Sequence, residues 1–167
     1  MYKAAVRALV RHGLERLNEG DASFLLRLAA SDAELAFPGD NSWSTMYRAT
    51  VKGRQVHVTH RGIDECRGFA DRFVAEGLRF HIEDILVNGP PWHMRVAVRA
   101  HDFKPTAAGR DDYANRVLAF LELRWGRLRR WEDYEDTERV SDWDRRRSVA
   151  TPEVTSQQST TRAPSSR

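Results

Sequence analysis

The chain has 167 residues, which fits one domain, and 27 Lys and Arg against 24 Asp and Glu leave a net charge of only +3. Hydrophobic residues make up 41% and charged residues 31%, unlike disordered chains, and so weak a charge excess argues against a nucleic-acid partner. One cysteine, Cys66, excludes an internal disulfide, no Cys/His run has zinc spacing, and no stretch approaches the ~20 apolar residues that span a bilayer. A cytoplasmic protein with no metal and no membrane contact is expected; Arg7, Arg11 and Glu15 also interrupt any signal-peptide core.

Taken in chain order, Val6, Leu9, Val10, Leu14 and Leu17 recur at three- and four-residue steps and predict a helix from Tyr2 to Asn18. Gly20 ends it. Asp21 offers an oxygen to the free amides of a second short helix with Phe24, Leu25 and Leu28 inward. Ala33 to Phe37 reads as a strand, and Pro38 to Asn41 as a turn. Met46 to Thr59 reads as two short pieces around a turn at the Lys52-Gly53-Arg54 centre. Ile63, Cys66, Phe69, Ala70, Phe73 and Val74 then mark a third helix, which Gly77 stops.

Beyond it the period changes to two. Phe80 to Val87, Met94 to Phe103, Asn115 to Arg124 and Leu128 to Asp136 read as four strands of an antiparallel meander, with a tight turn at Trp125-Gly126-Arg127. After Asp144 the Ser, Thr, Pro, Gln and Arg content offers no apolar period, so residues 145–167 are expected to be a disordered tail behind a domain of residues 1–144. Helices followed by a curved sheet give an α+β fold with a cavity between sheet and helices, where ligands commonly sit.

Three stretches carry a resemblance: Phe37 to Asn41, Gly89 to Arg99, and Arg124 to Thr137. Over about residues 1–143 the chain resembles the nuclear-transport-factor-2-like superfamily, and within it the SnoaL-like group of polyketide cyclases, ketosteroid isomerases and limonene epoxide hydrolases. The resemblance implies a cone-shaped, curved antiparallel sheet wrapped around N-terminal helices, a central pocket for a small apolar ligand, a homodimer and no cofactor. Trp131-Glu132-Asp133-Tyr134-Glu135-Asp136 is similar to a stretch in the epoxide hydrolases whose first Asp is catalytic, which singles out Asp133. Their Arg-x-Asp falls on Arg99-Ala100-His101, with His101 in place of the second Asp. Their water-holding Tyr and Asn fall on Leu35 and Phe37, and the basic Asp of the ketosteroid isomerases also falls on Phe37.

Strand alternation groups Arg95, Ala97, Arg99, His101 and Phe103 on one face, and Arg129, Trp131, Asp133 and Glu135 on another. If both polar sets point inward, Asp133, His101 and Arg99 meet as acid or base, proton partner and orienting cation, with Phe37, Trp43, Phe69, Phe73 and Trp131 as an aromatic substrate wall. The chain is then a cyclase, isomerase or dehydratase. If Val96 and Val98 point inward instead, the polar set is a surface network and the cavity binds without turnover.

Overall fold

The three- and four-residue apolar spacing at the N-terminus forms α1 (Tyr2–Asn18), which buries Val10, Leu14 and Leu17. The short α2 (Ser23–Leu28) follows, and leads into β1 (Ala29–Pro38). Next come β2 (His57–Arg61) and α3 (Gly62–Ala75), which buries Cys66, Ala70 and Phe73. The meander is β3 (Arg79–Asn88), β4 (Met94–Pro105), β5 (Asp111–Arg124) and β6 (Arg127–Glu135), and α4 (Thr137–Ala150) closes the chain. This computed structural model describes residues 1–50 and 57–150. The expected turn at residues 52–54 and the chain from residue 151 onward lie outside the described residues.

The six strands form one curved, unclosed sheet in the order β2-β1-β6-β5-β4-β3. All neighbours are antiparallel except β1 and β6, which run parallel. The helices cover one face: α1 lies along β3 and α3 along β1. Asn18 fastens α1 to the sheet edge, since its Nδ2 donates to the Phe80 carbonyl and its Oδ1 accepts from the Phe80 amide, both at 2.7 Å. Trp125 and Gly126 both have positive φ, 50° and 75°, as a two-residue hairpin turn with the right-handed twist demands. In the β3–β4 turn Gly89 sits at φ 88°, and a Cβ there would lie 2.3 Å from the His93 carbonyl oxygen, so only glycine fits.

Two departures from strict alternation matter for the site. At Glu83 the β3–β4 pairing slips, so Glu83 and Asp84 are both turned away from the core while Ile82 and Ile85 face it. A second slip between β5 and β6 lies where Leu128 and Trp131, three residues apart, both face inward and leave Arg129 exposed.

The boundary expected after Asp144 falls inside a helix. Asp136 Oδ1 accepts the Glu138 amide at 3.1 Å and starts α4, whose Val140 and Trp143, three residues apart, are fully buried. Trp143 stacks on Tyr113 with centroids 4.7 Å apart, and Asp144 takes the Ser42 amide and hydroxyl, both at 2.8 Å. Residues 145–150 are therefore helical rather than disordered, because α4 is held by tertiary contacts that a composition count does not register. Among the described residues no helix is long and apolar enough to cross a membrane.

Candidate functional site

The cavity is walled by aromatic rings that three different elements supply. Phe37 of β1 stacks on Phe69 of α3 at 4.6 Å, Phe73 of α3 stacks on Phe80 of β3 at 4.9 Å, and Trp43 meets Phe69 edge-on at 5.5 Å. Trp43 is on a loop, and local chemistry fixes it: Asn41 Oδ1 accepts the amides of Trp43 and Ser44 at 3.0 Å, which is the Asx turn that the Pro38–Asn41 stretch encodes. Arg72 lies 3.9 Å over the indole and donates to the Ser42 carbonyl at 2.5 Å. The wall is thereby rigid.

The floor is the concave face of β4, β5 and β6, and it carries three carboxyl groups. Asp102 pairs across β4–β5 with Asn115, Glu135 across β5–β6 with Val117, and Asp133 with Ala119, so the three converge around Val117. Tyr113 donates to Asp102 Oδ2 at 3.2 Å, and Asn115 Nδ2 donates to the Tyr113 oxygen at 3.2 Å. The other oxygen of Asp102 is buried with no hydrogen-bond partner among the described residues. Trp131 Nε1 donates to Asp133 Oδ1 at 2.5 Å. Among the described residues no Lys, Arg or His lines this cavity.

Burial in low dielectric penalises the charged form of each group, and for Asp133 and Glu135 the neighbouring carboxylates add to it. Burial pushes Asp102 up to about 6, against the Tyr113 hydrogen bond. It pushes Asp133 up to about 7, against the Trp131 hydrogen bond, with the Asp102 charge helping. Glu135 is pushed to about 9 by burial and then by the charges of Asp133 and Asp102. The Tyr113 hydroxyl is raised as well, by burial first and the Asp102 charge second. Burial thus favours the protonated form of all three carboxyls, and of Glu135 most, because the charges of Asp133 and Asp102 add to it.

This cavity is small, about 30 Å³, enough for one or two waters. Behind it lies an apolar chamber of about 50 Å³, walled by Leu25, Leu35, Leu128 and Trp131 among others. Phe69 and Phe80 line both, so these rings form the partition between a carboxyl-bearing chamber and a dry one. Val140 of α4 closes the carboxyl-bearing side.

Asp133, Phe37, Trp43, Phe69 and Phe73 are thus placed around one cavity, and Trp131 reaches it through its indole N–H. Arg99 and His101 are not there. The Arg99 side chain is 64% exposed and its Nε meets Glu83 at 2.6 Å, while His101 Nδ1 meets the other Glu83 oxygen at 2.8 Å, all on the face away from the helices. The expectation that these two meet Asp133 is corrected for a physical reason. Val96, Val98 and Ala100 are the apolar parity of β4, the helices cover that parity, and Asp102 shares it.

Sequence reasoning therefore missed Asp102 and Tyr113 as cavity groups, and it grouped Glu135 with Asp133 on one face without giving it a role. The signal was present: Asp102 is two residues beyond Ala100 on the apolar face of its strand, and a carboxylate in that position is a candidate for chemistry. Cys66 is buried 3.7 Å from the Ala33 carbonyl oxygen, and burial pushes its thiol up to about 11, which fits a packing role.

Comparison with known proteins places this geometry among relatives. The family profile described as a SnoaL-like domain matches residues 10–131. No curated protein matches. Among solved structures, a loop-truncation variant of IdmH superposes with a TM-score of 0.61 at 19% identity, over 80% of this chain and 94% of that one. TerC, co-crystallised with polyporic acid, gives 0.61 at 16% identity over 83% and 96%. TsrD from Streptomyces laurentii gives 0.55 at 18% identity over 86% and 96%. At these identities the likeness is one of fold.

Proposed function

The chain belongs to the SnoaL-like domain family of the nuclear-transport-factor-2-like superfamily, and from that premise we propose that it is a cofactor-independent enzyme of the cyclase, isomerase or dehydratase kind. It moves a proton on a small apolar ligand held in the carboxyl-bearing cavity. Asp102 is the base, Glu135 the acid, and Asp133 the group that exchanges the proton between them; Tyr113 orients Asp102 and Trp131 orients Asp133. One observation carries this reading: three carboxyls line one aromatic-walled cavity, where burial raises the proton affinity of each to a different extent, and differing environments are how acid and base roles are separated on one fold. That a structural neighbour was co-crystallised with polyporic acid supports ligand binding by a scaffold of this kind.

The test is deuterium incorporation from heavy water into a panel of aryl ketones, with and without an amino group, read by mass spectrometry. Incorporation that Asp102→Asn and Asp133→Asn abolish is expected. Binding without incorporation in any member would transfer the cavity to the second reading, a non-catalytic ligand-binding or scaffold domain, which the absence of Arg99 and His101 from the site favours. In either reading we propose a homodimer paired through the outer sheet face, where Leu86, Leu118 and Tyr134 are exposed.

A further inference from the structure

We infer that the cavity selects a ligand whose apolar body carries one protonated nitrogen, such as an alkylammonium group, and rejects carboxylates. This rests on the reading of the cavity as a ligand site given above and names the charge of what it takes.

The first reason is electrostatic imbalance on the wall. Asp102, Asp133 and Glu135 line one chamber, and among the described residues no cationic side chain shares it. Three cations on the surrounding elements are committed elsewhere: Arg72 to Ser42 and the Trp43 ring, Lys104 to Glu76, and Arg99 to Glu83 on the opposite face. A buried carboxylate without a cation is costly, and a ligand cation removes that cost. An anionic ligand would add to it.

The second reason is an orphaned acceptor. Asp102 lines the cavity and is more than nine-tenths buried, and its Oδ1 has no partner among the described residues. An N–H donor of the ligand satisfies it. The third is the wall itself, since Phe37, Trp43, Phe69, Phe73 and Phe80 present aromatic faces and edges to the same space. Aromatic faces attract a desolvated cation. Among the described residues no three acidic, His or Cys groups are arranged to hold a metal ion, so the charge belongs to an organic cation.

Binding a cation lowers the proton affinity of the facing groups. Those groups are Asp102 on β4, Tyr113 on β5, Asp133 and Glu135 on β6, with Asp136 and Asp144 farther out at α4, all of them acidic. Cation binding near neutral pH therefore releases protons.

The test is calorimetric titration of the full chain at pH 7 with 2-phenylethylamine, 2-phenylethanol and phenylacetate, each in two buffers of different ionisation enthalpy. The amine is expected to bind at least ~10-fold more tightly than the alcohol and to release protons, with phenylacetate weakest. Asp102→Asn is expected to remove most of that preference, with Glu135→Gln as a second variant. The comparison of the three probes on the unmodified chain decides the matter even if a variant fails to fold. An alcohol as tight as the amine, a tighter phenylacetate, or no amine binding below ~10 mM overturns the inference. Equal amine and alcohol binding with proton exchange that Asp133→Asn abolishes would sink the charge preference and leave the acid–base function standing. Binding of both without proton linkage would sink the two together.

Discussion

Replacing Asp133 by Asn keeps the shape of the side chain and an oxygen for Trp131 Nε1, and removes only the ability to ionise. The native pKa is raised by burial, from 3.8 to about 7, so the native state holds a proton that the unfolded state has lost. A group of this kind stabilises most below pH 3.8, and its contribution declines as pH rises until it levels off above about 7. At about 1.4 kcal/mol per pKa unit, its burden is about 4 kcal/mol at pH 8, of which roughly 2 kcal/mol is already present at pH 5. Asp133→Asn should therefore gain on the parent chain by about 2–3 kcal/mol between pH 5 and pH 8. For a domain of this size that is roughly 5–10 °C in melting temperature, readable by thermal unfolding at the two pH values. Turnover should vanish in the same variant. A stability difference that is constant with pH, or an Asn variant that is less stable at pH 8, would mean that Asp133 is an ionised structural partner and would refute the acid–base assignment.

His60 is fully buried, Nε2 lies 3.0 Å from the Trp43 carbonyl oxygen, and burial holds its pKa below 6.5. Because the unfolded imidazole takes up a proton first, stability from this group is lost as pH falls below 6.5; His60→Gln should flatten that part of the difference curve measured by denaturant midpoints between pH 7 and pH 5. Arg99→Gln breaks only an exposed pair with Glu83, so stability should change by at most ~1 kcal/mol and ligand titrations should be unaltered; a large loss of binding would restore Arg99 to the site. Removing Ser148 to Arg167 keeps Trp143 and the Arg147–Glu76 pair and should leave the melting temperature nearly unchanged, whereas Trp143→Ala should cost about 3–5 kcal/mol by emptying a fully buried site. Light scattering at tens of micromolar should report a dimer that Leu118→Arg dissociates; a monomer in the parent chain would remove the outer-face pairing.

The elements themselves were legible because local periodicity decides them. The α1 stripe and the α3 stripe from Ile63 to Val74 each leave one way to bury an apolar side, and the four meander strands declare themselves by their alternation. Asp133 was legible through the stretch around it, and the aromatic wall through its placement on α3 and the Pro38–Asn41 turn. α4 was less so, since among the described residues its buried apolar side chains are Val140 and Trp143, and its stability comes from Tyr113, Ser42 and Glu76 far away in the chain.

Which face of β4 lines the cavity was a tertiary decision. Alternation says that Arg99 and His101 oppose Val98 and Ala100, and it is silent on which set the helices will cover. Packing of α1 and α3 buried the apolar parity, which carried Asp102 inward and sent Arg99 and His101 out to Glu83. The slip at Glu83 turned that carboxylate outward to receive them, and the slip near Arg129 set the phase that leaves Trp131 and Asp133 inside. Both slips belong to the pairing of one strand with the next, so the alternation within either strand alone does not place them.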